Sequence, residues 1–255
     1  MRSYATAQHT GTRSDQCDAT AVFTHASGAR AYALLDGIGS TPLIQTWTRR
    51  AARQVARAAA RRADAEAGLR AVYDLYAASP ERQDPYERGY MPSAAAVVAV
   101  HLPGKPLSVA WCGDSRAYLL ERGITRRLTE DHNMRRVHPQ TALYPAGNRN
   151  VITSYLGGTA SDEQALEEIG HPAIESATVQ LTGPARLLLA SDGAYEPHED
   201  AGHDLYAELD EDDLRAVVRD FVDLAVTTSR EVLTADSPYG PSADNATALL
   251  ADLRP

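Results

Sequence analysis

The chain has 255 residues, a net charge of −9 and only two cysteines, Cys17 and Cys112. At that length roughly three quarters of the unfolded surface can be buried, so the fold needs neither a disulfide scaffold nor a structural metal. The acidic balance disfavours a general nucleic-acid binder, no apolar run approaches the ~20 residues of a membrane span, and the N-terminus MRSYATAQHTG lacks the apolar core of a secretory signal.

Three strands come first: SYATAQHT, ATAVFTHA and ARAYALLD, the last ending at Asp36. Ser40 or Thr41 caps an Ala-rich helix over residues 43–63, with Pro42 in its first turn. Arg49, Arg53, Arg57 and Arg61 recur every four residues and share one face, which reads as solvated, with a phosphoprotein or nucleic-acid contact as the rival reading. A second helix over 64–79 places Leu69, Val72, Tyr73 and Tyr76 at core spacing. Residues 79–92 are polar and Pro-containing, a loop. Strands follow at 93–101, 107–112 and 116–121, with turns at Gly104 and Gly123. Residues 132–149 read as an irregular, mobile flap. Strands return at 174–181 and 186–190, and PHEDAG (197–202) reads as a loop. A helix over 210–233 carries Leu214, Val217, Val218, Phe221 and Leu224 in one stripe behind an acidic cap of Asp210 and Asp213, and 247–253 close as a strand. Neither a repeat nor a linker divides the chain, and the order of elements suggests α+β layers.

Four apolar runs carry an aspartate at one end: Asp36 in AYALLDGIGS, Asp114 in VAWCGDSRAYLL, Asp192 in RLLLASDGAYE and Asp244 in SADNATALLADL. A glycine straight after the acid lets the backbone turn sharply and approach a ligand. Carboxylates this far apart in sequence make sense together if one folded site gathers them. Gathered without counter-charge, two of them ~4 Å apart repel by about 4 kcal/mol at an effective dielectric of ~20. A hard divalent cation removes that repulsion.

In order, the chain carries Arg13-x-x-x-x-Asp18, Asp36-Gly37-Ile38-Gly39, Gly113-Asp114-Ser115-Arg116, Leu128-Thr129-Glu130-Asp131-His132, Tyr155-Leu156-Gly157-Gly158, Ser191-Asp192-Gly193 and Asp244-Asn245-x-Thr247. These segments resemble the motifs of the protein phosphatase 2C family, metal-dependent serine/threonine phosphatases, of bacterial type. The resemblance implies a single catalytic domain over 1–255, folded as a four-layer αββα sandwich of two antiparallel sheets flanked by helices. It also implies hydrolysis of phosphoserine and phosphothreonine in proteins by a metal-activated water, with two manganese or magnesium ions. Asp36 is implied to bridge both ions, the Gly37 carbonyl to assist, and Asp192 and Asp244 to complete the first ion's shell. Arg13 matches the phosphate-binding arginine, so Arg13, Asp36, Asp192 and Asp244 form the catalytic set. Asp114 and Glu196 match the positions with which some bacterial relatives hold a third, weaker ion. The Asp131–His132 pair is read as structural. The expected setting is a cytoplasmic signalling protein, monomeric, with a phosphorylated protein as substrate and with no nucleic-acid or membrane partner.

Three positions depart from the family. Cys17 stands where a Glu or Gln usually precedes Asp18, and a thiol is a poor ligand for a hard cation. The second ion is then held more weakly, or Asp18 takes over through water; Cys17 also opens the site to oxidation. Ile38 replaces a histidine that several eukaryotic members carry. Pro92-Ser93-Ala94-Ala95 replaces a small Gly-Thr-Thr-Ala-like segment. The rival reading is a catalytically impaired, phosphatase-like regulatory or binding module whose second metal site is weakened through Cys17. A nucleotide-directed metal hydrolase is a third, without the Walker-type glycine loop.

Overall fold

Strand β3 (Arg30–Gly37) buries both of its faces, and that dictates the layers. Tyr32 and Leu34 turn into one apolar cluster, and Ala31, Ala33 and Leu35 into another. The same period of two recurs along β9 (Ala185–Ala190) and β10 (Ala246–Leu253), where Leu187, Leu189, Leu249 and Ala251 face inward and Leu188 and Leu250 face outward. Strands covered on both faces read as continuous apolar runs, which is why they were visible in the sequence.

The computed structural model describes residues 3–233, 237 and 240–255. The remaining strands are β1 (Tyr4–His9), β2 (Ala19–Thr24), β4 (Ala94–His101), β5 (Leu107–Cys112), β6 (Arg116–Glu121), β7 (Ile124–Arg127) and β8 (Glu175–Val179). Two five-stranded antiparallel sheets form, ordered β1-β10-β9-β6-β7 and β2-β3-β4-β5-β8. They face each other across Tyr32, Leu34, Val97, Trp111, Leu187 and Leu249. Helices α1 (Pro42–Arg62) and α2 (Ala65–Ala77) cover the outer face of the second sheet. Of the later helices, α3 (Asp162–Ile169), α4 (Asp192–Ala201) and α5 (Leu214–Thr228), the last two cover the first sheet. The result is the expected αββα sandwich.

Thr41 caps α1 by accepting from the Ile44 N–H, and Asp64 caps α2 by accepting from Ala67. Small residues allow α1 and α2 to touch: a Cβ on Gly68 would lie 2.2 Å from the Cα of Ala59. The arginine face of α1 is exposed, as expected, with Arg57 lying over the Phe23 ring.

Several elements differ from their sequence reading. The 79–92 loop contains two short helical turns, Pro80–Gln83 and Pro85–Arg88, and buries Arg82 to 1% exposure. Its guanidinium donates to the carbonyls of Gly157 and Pro92 and lies over Trp47 and Tyr76. Strand β7 went unread because three of its four residues, ITRR, are polar. Helix α3 went unread despite its capping box of Ser161 and Gln164. PHEDAG is helix: α4 runs through Pro197, whose missing N–H leaves the Gly193 carbonyl without a helical partner. The 210–233 helix is shorter, starting after its Asp213 cap; Asp210 instead ends a separate turn, Leu205–Leu209, and Leu224 is exposed. The 132–149 segment is irregular, with one helical turn (Met134–Val137), and Arg149 anchors its end to Glu196 and Asp200.

Candidate active site

One end of the two sheets gathers the candidate acids, with Glu196 on the first turns of α4. Asp18 immediately precedes β2, Asp36 lies near the end of β3, Asp114 sits in the β5–β6 turn, Asp192 opens α4 after β9, and Asp244 precedes β10. The sheet ladder brings them together: Ala190 pairs with both Ala248 and Arg116, and the Ser191 N–H donates to the Thr247 carbonyl. An open groove of about 800 Å³ results, lined by Arg13, Asp36, Gly37, Asp192, Glu196 and Asp244, among others. Asp18 and Asp114 are buried beneath it, Asp36, Asp192 and Glu196 are half-buried, and Asp244 and Arg13 form the exposed rim.

Backbone compactness makes this possible. A Cβ on Gly37 would fall 2.6 Å from the Cys17 carbonyl oxygen, one on Gly193 2.3 Å from that of Asn245, and one on Gly113 2.4 Å from the Cβ of Ala95. The last contact shows that the Pro92-Ser93-Ala94-Ala95 segment packs closely with its small residues. Asn245 ties three segments together: its side chain accepts from the Cys17 N–H at 2.7 Å and donates to the Thr10 carbonyl at 2.9 Å. Ser191 donates to Asp18 Oδ2 at 3.1 Å.

The charge balance is unusual. Asp36 feels Asp18, Asp192, Asp114 and Asp244 together, and burial with these neighbours holds its carboxyl well above the usual range. Burial pushes Asp18 up to about 8, with Asp192 adding to it. Asp114 is likewise raised by burial and Asp192, and Glu196 is pushed up to about 7 by burial and then Asp192. Asp18 Oδ1 and Asp114 Oδ1 are buried with no hydrogen-bond partner. On the cationic side, Arg13 donates to Asp244 Oδ2 at 2.5 Å. Burial alone would lower its guanidinium, and Asp244, Asp192 and Asp36 outweigh that and raise it.

All eight candidate residues therefore converge on one end of the fold. Cys17 is fully buried, and its Sγ donates to the Thr41 carbonyl at 3.6 Å. Burial raises the thiol above its ordinary range, which works against the reactive thiolate that the expected opening to oxidation calls for. The structural reading of Asp131–His132 holds. Asp131 forms a two-point pair with Arg116 at 2.8 Å, and His132 bonds Glu175 at 2.8 Å. Sequence reasoning missed Arg149, which brings a second cation to the groove through Glu196 at 3.1 Å. A lone arginine in a polar loop carries no signal of its own.

This sandwich, with its strand-end acids, defines the fold class of the metal-dependent protein phosphatases. Solved structures share the fold, among them the following. Stp1 from Staphylococcus aureus, a serine/threonine phosphatase, is 20% identical with a TM-score of 0.68, over 100% of this chain and 96% of that one. PppA of Pseudomonas aeruginosa, a key regulatory component of T6SS, is 24% identical with a TM-score of 0.67, over 98% and 97%. MsPP from Mycobacterium smegmatis, a PPM Ser-Thr phosphatase in complex with cacodylate, is 21% identical with a TM-score of 0.64, over 98% of each chain. No curated protein matches the chain by sequence. A protein phosphatase 2C family profile matches residues 8–137. The chain belongs to the protein phosphatase 2C family, a metal-dependent family, and by that membership is a protein serine/threonine phosphatase.

Proposed function

We propose that the chain hydrolyses phosphoserine and phosphothreonine monoesters in proteins, with two manganese or magnesium ions held by Asp36, the Gly37 carbonyl, Asp192 and Asp244. Asp18 contributes from beneath, and Asp114 with Glu196 offers a third position. One observation carries this reading: acids are gathered at the groove with raised pKa values, and two buried carboxylate oxygens lack any partner. Such a set is costly by itself and fits a hard, oxygen-seeking cation. Ions bound there supply charge neutralisation and lower the pKa of water towards neutrality.

The protein's own part is positioning. Arg13 engages Asp244 through one N–H, leaving the rest of its planar fork for phosphoryl oxygens. Asp36 and Asp192 are fixed by the β3 end and by the Gly193 N–H, which donates to Asp192 Oδ1 at 2.6 Å. Fixed groups need no reorganisation as charge develops.

Cys17 is the specific observation behind the impaired-module reading: it puts a protonated thiol in place of an oxygen ligand. It bears on the strength of the second ion site, and the principal acids remain. The accompanying proposals are a monomer of one catalytic domain acting in a reducing cytoplasm, supported by two unpaired cysteines. Among the described residues no helix is long and apolar enough to cross a membrane.

The test is phosphate release from a phosphothreonine peptide by wild type and Asp192→Asn, with manganese or with a chelator. Manganese-dependent release that falls at least about a hundredfold in a folded variant supports the proposal, since even loss of an outer-shell partner costs 10–100-fold. Release that ignores the chelator, or an equally active variant, rejects it.

A further inference from the structure

A separate trio of ligand-type side chains lies at the far end of α4. His198 is in its last turn, His203 follows Gly202, and Glu208 sits on the Leu205–Leu209 turn. Gly202 adopts φ 73°, a left-handed cap, and the His203 N–H donates to the His198 carbonyl at 2.9 Å. This reversal folds His203 back against His198, while Asp204 caps the next turn and brings Glu208 round. His198 Nδ1 lies 3.1 Å from His203 Nδ1 and 2.7 Å from Glu208 Oε2, and His203 Nδ1 lies 3.2 Å from Glu208 Oε1.

The tautomer makes this arrangement informative. His198 is fully buried, stacked on Phe221, with Nε2 2.9 Å from the Phe221 carbonyl. A carbonyl can only accept, so Nε2 carries the hydrogen, and in the neutral ring Nδ1 presents a bare lone pair. That lone pair faces a second ring nitrogen and a carboxylate. Glu208 Oε2 is itself buried with no hydrogen-bond partner. A proton on one atom satisfies one pair; a divalent cation satisfies all three. A backbone carbonyl holding the far nitrogen of a ligating histidine is the usual support of a metal site.

We propose that His198, His203 and Glu208 bind a zinc-type ion, distinct from the oxygen-ligated ions of the groove. Two imidazoles and one carboxylate suit zinc, with water as the fourth ligand. The pairs stand 2.7–3.2 Å apart, inside the ~3.3 Å edge of a zinc tetrahedron with bonds of ~2.0 Å, so an ion with one Glu208 oxygen as ligand spreads them slightly. His203 and Glu208 keep side-chain exposures of 29% and 21%, which gives the ion a route from solvent. The site lies at the C-terminal end of α4, where a helix favours positive charge. Its role is structural: it pins the end of the helix whose first residue is Asp192.

The experiment is zinc titration by calorimetry on the full chain in excess magnesium, which keeps the oxygen site filled, for wild type, His203→Ala and Glu208→Gln. Cobalt is added to separate, zinc-free samples of each as a visible-absorption probe, because zinc outcompetes it. Wild type should bind one zinc more than His203→Ala, and the cobalt complex should show strong tetrahedral bands that both variants lose. Glu208→Gln keeps the size of the side chain and should weaken zinc by at least about tenfold. Equal zinc stoichiometry in wild type and His203→Ala, or a cobalt spectrum that both variants leave unchanged, overturns the proposal.

Discussion

Replacing Asp36 by Asn should abolish catalysis and yet stabilise the metal-free protein. Asp36 feels Asp18, Asp192, Asp114 and Asp244, with Arg13 as the cation that answers them. One pair of charges ~4 Å apart repels by about 4 kcal/mol at an effective dielectric of ~20. Asp36 opens to the groove and Arg13 offsets part of the repulsion, so about 2 kcal/mol should remain. Asn keeps the size of the side chain and removes its charge. For a chain of this length, 2 kcal/mol corresponds to roughly 4–8 °C in melting temperature. The gain depends on pH. The folded-state pKa of Asp36 lies above its unfolded value, so its contribution is most favourable below that value and is lost as pH rises. Thermal unfolding in chelator should therefore show Asp36→Asn above wild type at pH 8, with the gap narrowing as pH falls and closing only towards the ordinary carboxylate value of 3.8. Manganese should raise wild type more than the variant. A variant less stable than wild type at pH 8 in chelator, or a gap independent of pH, refutes the reasoning.

Cys17→Glu restores an oxygen ligand and should lower the manganese concentration for half-maximal activity by about tenfold; an unchanged manganese dependence places Cys17 outside the metal shell. Arg82→Ala leaves the Gly157 and Pro92 carbonyls unanswered in the interior and should cost about 3 kcal/mol, read by denaturant unfolding, against which a loss below 1 kcal/mol would count. His132 is fully buried, and burial lowers it from 6.5 to about 4, so its neutral ring contributes stability above pH 6.5 that is lost as pH falls towards 4. That interval is worth about 3 kcal/mol, and His132→Gln should flatten the melting profile across it, since other groups titrate alike in both proteins. Glu175, held at about 2 against burial by His132 and Arg136, extends the acid loss from its ordinary 4.5 downwards in wild type.

Asp36, Asp114, Asp192 and Asp244 were legible because each borders an apolar run, and Asp36 and Asp192 also precede a glycine, so a local pattern marked both the strand and its end. Asp18 and Arg13 were legible through their fixed spacing. What stayed hidden depends on contacts across the chain. Arg82 resembles any loop arginine until Gly157 and Pro92 close around it. Arg116 reads as local to its turn, yet it pairs with Asp131 and Glu199, the latter 83 positions away. Pro197 argued against helix, and tertiary packing of Ala194, Tyr195 and His198 overrode it. Hidden with that helix was the cluster of His198, His203 and Glu208, whose members become neighbours only when Gly202 reverses the chain.

The most direct measurement is anomalous scattering from crystals soaked in manganese. Density against the Asp36 carboxylate, shared with Asp192 and Asp244, is the predicted result. A groove that stays empty while the protein remains folded would contradict the account at its root.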